Sequence, residues 1–88
     1  MINLFCHEND LTTLDIFDTW TVFDNLFCYD NDLPASELDD ILINLDTAGV
    51  SDGALQYHLN PGSDDGDRSG AATTAKANLV TKGWVITN

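Results

Sequence analysis

Eighty-eight residues carry 15 acidic and 3 basic side chains, a formal net charge of −12 alongside 43% hydrophobic content. A chain of this length holds one small domain with a modest core, and its apolar share is that of a folded protein. The cations, Arg68, Lys76 and Lys82, are too few to neutralise a row of phosphates, so neither nucleic-acid binding nor docking to anionic membranes is expected.

The chain opens on its most informative feature. Leu4-Phe5-Cys6-His7-Glu8-Asn9-Asp10-Leu11 returns 22 positions later as Leu26-Phe27-Cys28-Tyr29-Asp30-Asn31-Asp32-Leu33, with six of the eight residues identical. A repeat at this period marks a chain wound in stacked coils. Within each copy the side chains alternate as on a strand, so Leu4 and Cys6, like Leu26 and Cys28, point inward and Phe5 and Phe27 outward. Asn9 and Asn31 suit the bend that ends the strand, where an amide bonds backbone groups of the turn and of the next coil. Leu11 and Leu33 then re-enter the core. Cys6 and Cys28 take equivalent places and read as stacked buried thiols, with a disulfide or a metal pair as the alternative. Leu14-Asp15-Ile16 is a short alternating segment on the return side. Phe17–Val22 lacks the asparagine expected of a repeat turn.

After Leu33 the period changes. Leu38, Ile41, Leu42 and Leu45 form the stripe of an amphipathic helix over about 36–48, with Ser36 and Asp39 as a capping box and Gly49 as its left-handed close. A third strand follows at Ala54–Leu59, ending in Asn60-Pro61-Gly62. Ser63–Gly70 is a polar loop in which Arg68 pairs with a neighbouring aspartate. Ala72, Ala75 and Leu79 give a second helical stripe, capped by Thr73 or Thr74 and closed by Gly83. Trp84–Thr87 is the fourth strand. From Leu26 to Leu55 is 29 residues, and from Leu55 to Trp84 again 29. Every interval is long enough for the crossover that parallel strands need.

These units, together with A-S-E-L-D-D-I-L-I-N-L, G-A-L-Q-Y-H-L-N-P-G and A-K-A-N-L-V-T-K-G-W-V-I-T, resemble the C-terminal end of bacterial and phage leucine-rich-repeat proteins, from about Ile2 to Thr87. The resemblance implies an α/β fold: a short leucine-rich-repeat solenoid of about four parallel strands with two helices on its convex side. It implies one domain over 1–88, with short repeats over 1–33 and helix-bearing coils and a cap over 34–88. Proteins of this kind serve mainly as adhesion or recognition surfaces.

Stacked strands make columns. Phe5, Phe27, Gln56 and Val85 form the first outward one, and His7, Tyr29, His58 and Thr87 the next. The expected function is therefore non-catalytic recognition of a protein or glycan by an aromatic concave face of Phe5, His7, Phe27, Tyr29, Gln56 and His58. The alternative is a purely structural cap on a longer array. No cofactor or metal is expected: His7 and His58 are too few for a closed zinc site, and Asp64-Asp65-Gly66-Asp67 departs from the calcium-loop pattern. Enzymatic activity is not expected either, since Ser36, Ser51, Ser63 and Ser69 sit in no nucleophile elbow. The chain shows no signal peptide and no membrane span. It reads as soluble, and as a surface or extracellular module if it belongs to an adhesion-type protein. Its first coil has no upstream cover, which implies further repeats before Met1 or self-association of two copies there.

Overall fold

The recurring inward leucines are brought side by side. In a computed structural model that describes residues 2–15 and 23–88, four short strands form one parallel sheet in the order β1 (Ile2–Phe5), β2 (Phe23–Phe27), β3 (Ala54–Gln56), β4 (Val85–Thr87). Helix α1 (Ala35–Ala48) connects β2 to β3, and α2 (Gly70–Thr81) connects β3 to β4 after a 3-10 turn at Asp65–Asp67. The chain is thus α/β, with four parallel strands and two helices.

Register follows the repeat. Leu4 pairs with Leu26, Leu26 with Leu55, and Leu55 with Ile86. The expected partner of Leu55 was Trp84, so the fourth strand sits two positions from the sequence-based alignment. A two-residue slip keeps every side chain on its face, whereas a one-residue slip would flip them all. The reason lies in Trp84 itself. The residue is buried, and its indole rests against Gly53, where any Cβ would collide with it, and donates to the Val50 carbonyl at 2.7 Å. It fills the entry to the strand, leaving Ile86 to continue the leucine column. Val85 consequently stands beside Ala54 and Thr87 beside Gln56. A further irregularity lies between Ile2 and Asn3, where Ile2 pairs with Phe23 and Asn3 with Asn25.

Both helices cover the leucine face of the sheet. Leu38, Ile41, Leu42 and Leu45 of α1, with Ala72, Ala75 and Leu79 of α2, join Leu26, Cys28, Leu33, Leu55, Tyr57 and Trp84 in a single core. The two helices pack on each other, and the small alanines of α2 permit the close approach. Each buried leucine contributes about 1.5–3 kcal/mol. Leu4, Cys6, Leu11 and Leu14 pack against this core but remain partly exposed.

The helix ends differ in part from expectation. Pro34, not Ser36, precedes α1 and makes no side-chain cap, while Glu37 accepts instead from the Leu14 N–H at 3.0 Å. Asp39 is drawn away to Arg68. Ser69 caps α2 by accepting from the Ala72 N–H at 3.1 Å, and the Thr73 and Thr74 hydroxyls donate back to carbonyls four residues earlier. Gly49 and Gly83 close the helices with φ of 78° and 92°, as their positions predict. The third strand stops at Gln56, so Leu59 is not part of it. Leu14 and Asp15 form no strand, and Ile16 and Phe17–Val22 lie outside the described residues.

Arg68 is a structural surprise. The sequence places it in a solvated loop beside its own aspartates. Its side chain is 99% buried, 3.2 Å from Asp39 of α1, 5.6 Å over the Tyr57 ring, and donates to the Gly62 carbonyl. Lys76 pairs with Asp65 at 2.6 Å and Lys82 with Asp46 at 2.6 Å. All three cations are therefore committed within the molecule. No helix among the described residues is long and apolar enough to cross a membrane.

Candidate functional site

Parallel pairing carries the backbone ladder past the strand ends. Cys6 N–H donates to the Phe27 carbonyl at 2.9 Å and Glu8 N–H to that of Tyr29 at 3.0 Å; Cys28 and Asp30 do the same to Gln56 and His58, at 2.9 and 3.0 Å. These bonds hold His7, Tyr29 and His58 at one level, on the sheet face that the helices leave open. The Tyr29 ring is sandwiched between two imidazoles, 4.6 Å from His7 at 10° and 4.5 Å from His58 at 11°. Phe5 and Phe27 lie 4.9 Å apart at 40°, and Phe27 reaches Tyr29 at 6.5 Å. Asn25 donates to Asn3 at 2.8 Å, adding a side-chain rung across β1 and β2. Five rings thus make one contiguous surface, with Phe5 55% exposed and Gln56 beside Phe27.

Of the expected positions, Phe5, His7, Phe27, Tyr29, Gln56 and His58 come together on this face. Val85 and Thr87 do not fall where the spacing placed them: Thr87 continues the Phe5–Phe27–Gln56 column, and no β4 residue stands beside His58. The described residues enclose no pocket. The surface is a ledge of ring edges, because Tyr29 has both faces covered. Ring edges carry the positive end of the aromatic quadrupole and prefer carbonyl oxygens or the faces of other rings.

The turn after each ring is built alike. Glu8, Asp30 and Leu59 take left-handed φ of 57°, 56° and 57°. Aspartate tolerates this region better than a bulky apolar residue does. Leu59, 67% exposed, is the least suited of the three. One position on, Asn31 and Asn60 are buried and stitch neighbouring units. Asn31 donates to the Cys28 carbonyl of its own turn at 3.0 Å and to the Cys6 carbonyl of the preceding unit at 3.1 Å, and accepts from Leu11 N–H at 3.1 Å. Asn60 donates to the Tyr57 and Cys28 carbonyls at 2.9 and 3.1 Å and accepts from Leu33 N–H at 3.0 Å. The sequence anticipates these amides at the bend, but they reach backward to the preceding unit, not forward. It also treats Asn60 only as a strand end. The signal for its role is its offset from the strand, which matches that of Asn31.

The two thiols lie beneath this face and are unpaired. Burial pushes the Cys28 thiol up to about 12, with the neighbouring Cys6 adding to the rise, and burial also raises Cys6. Both stay protonated at neutral pH, and only the thiolate is nucleophilic. Native protein exposed to iodoacetamide at pH 8 will therefore leave Cys28 unmodified while urea-unfolded protein labels fully. Mass mapping after a timed quench reads this directly, and labelling at the unfolded rate would mean that the column opens freely.

At the loop over 64–67, Asp65 is turned to Lys76 and Asn88, and the Lys76 bond holds its carboxyl below the usual range. Partial burial raises Asp46, but bonds from Asn78 and Lys82 and the Lys82 charge bring its net value down. Among the described residues no three carboxylate, imidazole or thiol groups gather as a metal ion would need. Comparison with family models, curated proteins and solved structures finds no match to this chain.

Proposed function

We propose that this chain is a non-catalytic recognition module, the closing part of a leucine-rich-repeat solenoid, that binds a protein or glycan partner through the face of Phe5, His7, Phe27, Tyr29, Gln56 and His58. The observation that supports it is the continuous ring surface itself. Two phenylalanines and a stacked His–Tyr–His row stand on the helix-free side of a sheet whose opposite side carries the whole core. Exposed aromatic patches of this kind mark interaction surfaces, and rigid stacked rings lose little side-chain entropy on binding. The solenoid reading rests on the in-register repeat, the sequential strand order and the asparagine stitching.

The test is selection from a displayed peptide library and a glycan array, with the wild type against a Phe27→Ala/Tyr29→Ala variant. Ligands of this face will bind the wild type at least tenfold better than the variant while the melting temperature changes by only a few degrees. The reading fails if no ligand discriminates the two proteins. It fails equally if the variant unfolds and single Phe5→Ala and His58→Ala variants, which keep the fold, bind every selected ligand as the wild type does.

A second reading, a purely structural cap, is favoured by the Trp84–Gly53 closure. It predicts no ligand for the ring face at all.

A further inference from the structure

The edge of β1 is unfinished in a specific way. Asn9 donates to the Cys6 and His7 carbonyls at 3.0 and 3.1 Å. Asn31 and Asn60 make the same bonds within their own turns. Its own unit therefore holds Asn9 in the attitude that Asn31 and Asn60 adopt. Those two each also donate to a carbonyl of a neighbouring unit and accept one of its N–H groups. Among the described residues nothing occupies that second role for Asn9.

The apolar side of the same edge matches. Leu26, Cys28 and Leu33 are fully buried, while their repeat equivalents Leu4, Cys6 and Leu11 are only partly covered. Tyr29 is covered on both ring faces and His7 on one. Backbone pairing, amide stitching, core burial and ring stacking all stop at the same plane.

We propose that the β1 edge is a docking surface for a strand-and-turn segment of another polypeptide, running parallel to β1. The segment would place an apolar residue beside Leu4 and a small apolar one beside Cys6. It would offer a backbone carbonyl and an N–H to the Asn9 amide. The occupant therefore shares the chemistry of the repeats already stacked here, because the edge continues the interface that the Leu4–Leu11 repeat makes with the Leu26–Leu33 repeat. Preorganised donors and acceptors cut the ordering cost of such strand addition. A second copy of this chain fits poorly. Two β1 edges would bring together Glu8, Asp10 and Asp15 of both copies with no lysine or arginine among residues 1–67, and β4 is followed, among the described residues, by no turn that could offer the Asn9 amide a carbonyl and an N–H.

The probe is the peptide of residues 23–33, added to the intact chain in 0.5 M NaCl, which shortens the range of carboxylate repulsion to about 4 Å. Binding will shift the Asn9 side-chain amide and slow hydrogen exchange at Asn3–Leu11 at least tenfold. Asn9→Ala in the protein will weaken it at least tenfold, whereas Asn88→Ala at the far end will not. A peptide carrying Leu26→Asp and Cys28→Asp will give no response. The proposal is overturned if millimolar peptide leaves these signals unmoved or moves those of β4 instead. It is also overturned if sedimentation finds the chain alone dimeric with β1 already protected.

Discussion

Replacing Asn60 with alanine will lower the unfolding free energy by about 3–5 kcal/mol, a large share of the ~5–10 kcal/mol a small domain possesses. The substitution removes one amide and strands two buried backbone groups at once, the Leu33 N–H and the Tyr57 carbonyl, and takes from the Cys28 carbonyl one of its two donors, the other being Asn31. Each such group costs about 1–3 kcal/mol when water cannot reach it. Asn60→Asp separates the two roles. The carboxylate still accepts from Leu33 but turns an oxygen toward carbonyl oxygens, so at pH 7 it will fare no better than alanine. Urea titration of the three proteins measures both losses. A cost under about 1 kcal/mol for Asn60→Ala would show that the units are held by their leucines alone.

Arg68→Ala carries the second large effect, about 3–5 kcal/mol, the usual cost of removing one partner of a buried ion pair. Asp39 would be left charged beneath the loop with its guanidinium gone, the Gly62 carbonyl would lose its donor, and the Tyr57 face would be bare. Lysine will recover only part of this, since a single ammonium cannot serve Asp39 and the Gly62 carbonyl in the fork geometry of arginine. The double variant Arg68→Met/Asp39→Leu will regain most of the loss, because burying the pair itself brings little net gain. Thermal unfolding distinguishes the cases. An Arg68→Ala protein as stable as the wild type would place that side chain in solvent and return the loop to the reading its sequence suggests.

What was legible in the chain is what repeats. Leu4 and Leu26 with their alternating neighbours predict strand, face and register, because a period of two and a copy 22 residues on leave one consistent pairing. The stripe from Leu38 to Leu45 predicts a helix, and Gly49 its end. The errors fall where a long-range partner overrides a local pattern. Ser36 and Asp39 have the spacing of a cap, yet Asp39 is taken by an arginine 29 residues away. Trp84 has the right distance from Leu55 to be its neighbour, yet a ring that large occupies the gap above Gly53 and moves the strand by two. Arg68 has no periodic or motif signal, so its burial could not be inferred from composition. The ring face was legible by alternation up to His58. Its fourth member was not, since it depended on the register that Trp84 changes.

The distribution of charge gives the three ion pairs a common direction along the sequence. Every acidic residue lies at or before Asp67 and every cation at or after Arg68, and each pair joins Asp39, Asp46 or Asp65 to that final stretch. Residues 1–67 therefore carry every carboxylate side chain of the sequence and no lysine or arginine, and the stretch over 68–82 brings α1 the two cations that Asp39 and Asp46 pair with.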